Sequence, residues 1–412
     1  MIKRIFLTSL FLFYFYSAFC QITQTGRNHI NVLASKAYYG RGYVNKGLEK
    51  SARYIRKELK KSNVEAGIDN YFQLTPKFPV NTFPKAIILK ELSNKNKEDI
   101  NTHVAGKSFL LHPSSGSIHL NQQKIIRINS DQKIPALKSN TIYFVEKSDY
   151  PQDSLELFQR SLLNSELVKN SLLIIYDPVK LTWSPSMEKS NNAVLTTNKI
   201  ISTEMIQAQW ENTWKASFQG INVIGKVKGK RSDSSVYFTA HYDHLGMLGK
   251  HMFPGANDNA SGTALLLELA SYYAQNQPNF DTYFLFTCGE ELGLLGSYFY
   301  LQDPASDLSK IKILINLDMV GTGNEGITVV NAIKHQDFYD KMKKYNQDRI
   351  IEIKQRGEAC NSDHCLFDKA GIPAVFIYTL GGKQAYHDIN DDGTDLSLAA
   401  FNSLFDLLIE VV

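Results

Sequence analysis

The sequence predicts an α/β fold: a mostly parallel mixed sheet with helices on both faces, carrying a β-rich inserted unit. Three observations lead there. After Gly220, short apolar runs alternate with longer helical patterns: "SVYFTAH", "GTALLLELASYYAQN", "TYFLFTC", "KILINLD", "DFYDKMKKYNQD" and "AVFIYTL". Strands that are apolar nearly throughout belong to parallel sheets covered on both faces. Between about Phe78 and Gln219, by contrast, short alternating runs are separated by Asn, Ser and Lys linkers, which is a β texture.

The elements follow in chain order. At 412 residues the chain exceeds what one compact core ordinarily carries, so one large domain with an insertion, or two domains, is expected. "MIKR", the apolar run "IFLTSLFLFYFYSAF" and the closing "SAFC" read as a secretory signal peptide over residues 1–20, cut after Cys20, with Ala18 and Cys20 as the small cleavage-site residues. Acylation of Cys20 is disfavoured by the large Phe19 before it, and the run is short for a membrane anchor. A secreted or periplasmic protein with no stable membrane span after signal removal is the expectation. Three cysteines then remain, too few for a disulfide scaffold.

Residues 27–62 read as helical. "NKGLEKSARYIRKELKKS" puts Leu48, Ala52, Ile55 and Leu59 on one face, and "YYGRGY" before it is a glycine turn. This N-terminal helical part covers 21–80. "TPKFPVNTFP" then marks a proline boundary. The inserted unit, 81–218, supplies strand candidates "KAIILKEL", "KSFLLH", "QKIIRIN", "NTIYFVE" and "SLLIIYDP" and no catalytic constellation. Residues 219–412 form the core and end in the helix "LSLAAFNSLFDLLIEVV". With 45 basic against 41 acidic residues, spread evenly, nothing suggests a nucleic-acid groove.

Chemistry-bearing residues collect at the strand ends. His241 and Asp243 follow "SVYFTA", Glu290 and Glu291 follow "TYFLFTCG", Asp318 ends "KILINL", and His387 comes after "AVFIYTL". Asp258 lies in "GANDNASGTA", at a helix entry. Singly each has a plain reading: a loop histidine, a dipole-favoured first-turn acid, a turn aspartate. Four successive strands ending in such residues do not. Ligands bind at the carboxyl ends of parallel strands, and adjacent buried carboxylates need a cation. Two histidines with several carboxylates suit zinc or a similar first-row divalent ion, singly or as a pair bridged by one carboxylate.

The segments "TAHYDHLG", "GANDNASGT", "GEELGLLGS", "INLDMVG", "NSDHCLFDKAGIP" and "AYHDIND", in that order, resemble the M28 family of zinc metallopeptidases. The likeness is strong from Gly220 onward and weaker over "GRGYVNKGLEKSARYIRKEL". It implies the zinc-exopeptidase, phosphorylase/hydrolase-like version of the fold, with the inserted unit standing where relatives carry a protease-associated or cap-like domain. Carried over, His241 and Asp318 hold one zinc, Glu291 and His387 the other, and Asp258 bridges them. Glu290 is the general base, acting on a metal-bound hydroxide. Asp243 fixes the tautomer of His241; Asp363, His364 and Tyr386 are substrate-pocket residues; Asp391 orders the late loop; His244 is not a ligand. "HDINDDGTD" departs from the threonine and proline that the family often has there.

The resemblance implies a secreted exopeptidase that removes N-terminal residues from peptides with a free amine. Two rivals share the residues. A glutaminyl-cyclase-like acyltransferase usually has tryptophan where this chain has Tyr386, and a glutamate-carboxypeptidase-like hydrolase needs a basic cluster, whereas Arg356 is the one arginine in the later pocket segments. A catalytically dead, partner-binding ectodomain loses ligands that this chain keeps. Cys360 and Cys365, close in sequence beside the pocket of a secreted chain, are expected to pair, leaving Cys288 a buried thiol.

Overall fold

Side-chain alternation along the strand Arg231–His241 decides which helices cover which face of the main sheet. In a computed structural model that describes residues 22–129, 135–347, 351–382 and 385–412, Val236, Phe238 and Ala240 point to one side. There they join Leu48 and Ile55 of helix Gly47–Lys61, Leu265 and Leu269 of helix Gly262–Gln275, and Leu404 and Leu408 of helix Phe401–Val411. Tyr237 points to the other, where Tyr283, Leu285 and Leu314 meet Tyr300 and Phe367 of the short helices Leu295–Gln302 and His364–Lys369. The signal peptide read over residues 1–20 lies outside the described residues. Among those described, no helix is long and apolar enough to cross a membrane.

The sheet order is Glu65–Ala66, Thr213–Val227, Phe280–Thr287, Arg231–His241, Ile311–Leu317, Ala374–Thr379, Ile327–Val330, Ile353–Gln355. The middle four strands are mutually parallel, while both flanks join antiparallel, so the sheet is mixed. Register is what positions the site. His241 pairs with Thr287, and Leu317 with Ile377, so the segments leaving these strands emerge along one edge.

The structure refines three expectations. The reading of 27–62 as helical holds on either side of the expected "YYGRGY" turn, not across it. Residues 22–33 are helical, the chain then turns through Lys36–Arg41 with positive φ at Tyr39 and Gly40, and the second helix starts at Gly47. "TPKFPVNTFP" lies mostly within the strand Phe72–Thr82, after which the chain leaves for another sheet at Ile88–Leu92. The strand Phe72–Thr82 pairs with Thr213–Val227. Pro76 and Pro79 fit there because this strand hangs off the side of the sheet path with that one partner, where a missing N–H costs little.

Thirdly, the segment between those two strands is less purely β than its texture suggests. Its second sheet runs Asp99–His103, Ile88–Leu92, Met205–Trp210, Ile118–Arg127, Ile142–Glu146, Leu172–Tyr176, Ala193–Thr197, Phe109–Leu111. Three of these pairings are parallel, and parallel neighbours need a crossover. Helix Gln152–Leu163 supplies one, packing Leu155, Phe158 and Leu162 on Tyr143, Val145 and Leu173. A buried carboxylate stitches the opposite end of that sheet. Glu91 accepts from Asn101 and from both main chain and hydroxyl of Ser202, and lies 2.9 Å from His103 Nε2. The two sheets share a core in which Phe83 and Trp183 meet Leu245, Leu248 and Phe253, with Trp183 stacked on Phe253 at 5.2 Å.

One partly buried acid is expected to make stability depend on pH. Glu268 lies on helix Gly262–Gln275 with Oε1 3.5 Å from His29 Nε2, and His29 Nδ1 is 2.6 Å from Tyr54 OH. Burial pushes the Glu268 carboxyl up to about 7. A raised acid favours folding fully below its unfolded pKa, and that contribution is lost as pH climbs through the folded value. Glu268→Gln is therefore expected to be more stable than the native chain above pH 7, by roughly 3 kcal/mol or less. The difference should close near pH 4, as read by urea denaturation across that range.

Candidate metal centre

His241 closes its strand, and Asp243 and His244 follow at once. Glu290 and Glu291 open the turn Glu290–Leu292, which Gly289 makes reachable by taking φ 70°. Asp318 follows Ile311–Leu317, Asp258 sits in the turn Ala256–Ser261, and His387 lies in the loop beyond Ala374–Thr379. The aligned strand ends bring them together. His241 Nε2 is 3.3 Å from Asp318 Oδ1 and 3.4 Å from Asp258 Oδ1. His387 Nε2 is 3.4 Å from Asp258 Oδ2 and 3.0 Å from Glu291 Oε2. Asp258 thus offers one oxygen to each imidazole.

His241 Nε2 and Asp318 Oδ1 are buried without a hydrogen-bond partner. Leaving such atoms bare is costly. Ligand atoms about 2.0–2.1 Å from a tetrahedral zinc stand roughly 3.3 Å from each other, which is the spacing found here. The donor set of imidazole nitrogens and carboxylate oxygens therefore fits zinc or a similar ion, and His241, Asp258 and Asp318 form one such cluster.

The supporting contacts come from distant parts of the chain. Tyr43 OH donates to Asp243 Oδ2 at 2.9 Å, and the Glu290 main-chain N–H donates to Oδ1 at 3.2 Å. The ring of His241 approaches the Asp243 main-chain oxygen at 3.3 Å, closer than its carboxylate at 3.8 Å. Ser362 donates to Asp318 Oδ2 at 2.8 Å while accepting from Asn316. Asp391 accepts from the N–H groups of Asn257 and Asp258, so it holds the turn that carries Asp258. His244 stands 2.7 Å from Glu291 Oε1, a partner to that carboxylate.

Crowded acids and imidazoles shift one another. Burial, together with Glu291, Asp318 and Asp363, holds the Glu290 carboxyl well above its usual range against the pull of His241. Burial opposes charge on His241, yet Asp318 and Glu290 keep its imidazole well above the ordinary value. His387, also disfavoured by burial, is raised to about 10 by Asp258 and Glu291. Burial pushes Asp391 to about 7. These are the shifts of an acid-rich pocket in which the histidines supply the compensating charge.

Glu290, Asp258, Asp318, His241 and His387 open onto a cavity of about 320 Å³ that Tyr386, Tyr378, Asn361 and Arg356 also line. Of the three expected pocket residues only Tyr386 lies there, stacked on His387 at 3.9 Å. Asp363 is turned inward, taking hydrogen bonds from the hydroxyls of Thr287 and Ser297, with burial lifting it to about 6. His364 is buried against the carbonyl of Ala359. Cys360 and Cys365 are disulfide-bonded and Cys288 is a buried thiol; the bridge closes the loop carrying Ser362. Sequence reasoning missed Tyr43, Ser362, Arg41 and Ser184, whose Oγ is 3.4 Å from His387 Nδ1. Arg41, Tyr43 and Ser362 lie in segments that carry the resemblance, yet nothing local marks their roles, and Ser184 lies in no such segment.

Similarity to known proteins runs the same way. Residues 222–412 match the peptidase family M28 model. Aminopeptidase YwaD of Bacillus subtilis is 28% identical over 75% of this chain and 71% of its own length. A probable leucine aminopeptidase of Arthroderma otae is 32% identical over 48% of this chain and 57% of its own length. Among solved structures, the zinc aminopeptidase BSAP from Bacillus subtilis shares the fold, with TM-score 0.68 and 20% identity over 94% of this chain and 93% of that one.

Arg41 ties the pocket floor together. Its buried guanidinium donates five hydrogen bonds to the carbonyls of Leu33, Tyr242, Pro254, Gly255 and Asp258. Burial lowers it to about 10, so it stays charged at neutral pH. Arg41→Met strands those acceptors and is expected to cost roughly 3–5 kcal/mol in urea denaturation, with Arg41→Lys recovering only part.

Proposed function

We propose, since this chain belongs to peptidase family M28 through residues 222–412, that it is a zinc aminopeptidase acting on peptides with a free N-terminus. The observation that carries this reading is the placement of Asp258, whose two oxygens each lie 3.4 Å from a different histidine, His241 and His387. In this reading His241 and Asp318 hold one zinc, Glu291 and His387 a second, and Asp258 both. When bound, the pair supplies Lewis acidity that lowers the pKa of water and polarises a carbonyl oxygen.

The chain's own residues do the rest. Glu290 faces the cavity beside the proposed ligands, and its position suits a group that takes a proton from the attacking water and returns it to the leaving amine. A carboxyl with a raised affinity for protons suits that second task. Asp243, held by Tyr43, steadies the turn of Glu290 through its main-chain N–H and flanks the ring of His241. His244 holds the far oxygen of Glu291, leaving Oε2 directed at His387. Acidic lining by Asp258, Glu290 and Asp318 favours a substrate's α-ammonium over a carboxylate. Residues 1–20 act as a secretion signal, and 81–218 form an inserted unit whose Ser184 stands beside His387.

Glu290→Gln is expected to keep zinc through dialysis and to lose turnover on free aminoacyl substrates by about 10²–10⁴-fold. Glu291→Gln should instead lose metal, measured as zinc per chain. N-acetylated peptides should resist cleavage by the native protein. Near-normal turnover in Glu290→Gln would remove the proposed division between the two glutamates.

A further inference from the structure

We propose that Arg356 docks a carboxylate on the C-terminal side of the scissile bond, making short peptides, dipeptides foremost, the preferred substrates. The proposal deepens the aminopeptidase reading and rests on it.

Charge is distributed unevenly around the cavity. Asp258, Glu290 and Asp318 line it together with two histidines, and Arg356 is the lone arginine or lysine among its described lining residues, beside Asn361 and Tyr378. A cation in such company would ordinarily be claimed by an acid. Arg356 is not: among the described residues its side chain makes one hydrogen bond, Nη1 to Tyr378 OH at 3.4 Å, and no ion pair. The remaining guanidinium N–H groups are free for a planar, two-oxygen acceptor, the geometry for which arginine is suited.

The base of the side chain is anchored. The Arg356 N–H donates to Val329 O at 3.0 Å and its carbonyl accepts from Ala332 N at 3.1 Å, which ties it to the end of the main sheet. Dimension supports the same substrate class. The cavity of about 320 Å³ is at the small end for ligand sites, and two extended residues span about 7 Å. A dipeptide with its amine among the carboxylates therefore ends inside the same cavity, where its terminal carboxylate meets Arg356, the one arginine or lysine among the described lining residues. A longer peptide presents a neutral amide at that point and must continue past the rim.

The test compares a dipeptide with the same dipeptide C-terminally amidated, using the zinc-loaded protein and its Arg356→Met and Arg356→Lys variants. The native protein is expected to favour the acid over the amide by about tenfold or more in kcat/KM. Arg356→Met should bring that ratio to about one, mainly by raising KM for the acid, and Arg356→Lys should restore part of it. A ratio of about one in the native protein, or a ratio that Arg356→Met leaves unchanged, overturns the proposal. Calorimetric binding of both compounds to the Glu290→Gln protein separates the two readings. If acid is preferred there in an Arg356-dependent way but the native protein turns over neither compound, the aminopeptidase reading fails and the docking role stands.

Discussion

The burial of many carboxylates where the parallel strands of a mixed sheet end is the constraint around which this molecule is built. Asp243, Asp258, Asp318, Asp363 and Asp391 are each less than a tenth exposed, and Glu290 and Glu291 crowd the same space. Each charge removed from water costs several kcal/mol unless a partner replaces the solvent. The protein answers differently at each position. Asp363 is given two hydroxyls, Asp391 two backbone N–H groups, and Asp243 a phenol and an N–H. Those left facing imidazoles across gaps of 3.0–3.4 Å are the ones proposed to take a cation.

Arg41 shows how far this logic reaches. Among the described residues it forms no ion pair, yet its charge sits where the fields of Asp391, Asp258, Asp243 and Glu291 converge. Its hydrogen bonds go instead to carbonyls of the segments that carry those acids. The same side chain therefore offsets charge and fixes backbone, and the N-terminal helices are part of the site's foundation although they contribute no proposed ligand.

The second sheet relates to the site through a shared apolar core rather than through chemistry. Trp183 packs on Phe253, and the neighbouring Ser184 reaches His387. A serine on this sheet's loop thus touches a histidine that the main sheet's strand order delivers. Shape and access at that side of the cavity depend on how the two cores meet.

Local sequence was sufficient for elements whose environment is encoded by their own residues. The apolar runs ending at His241, Thr287 and Leu317 announce buried parallel strands because both faces of each must be covered, and polar residues after them announce an active edge. The cysteine pair is equally local, since few residues separate the two thiols. Other features were decided by the tertiary structure alone. A proline-bearing strand such as Phe72–Thr82 is acceptable only where one side lacks a partner, and no window of sequence says which side that is. Asp363 and His364 look like pocket residues in a motif, yet Thr287 and Ser297 draw the aspartate inward. Tyr43, Arg41 and Ser362 acquire their roles from partners far away in the chain. Residue type and spacing specify what a side chain can bind, whereas folding decides which of its possible partners arrives.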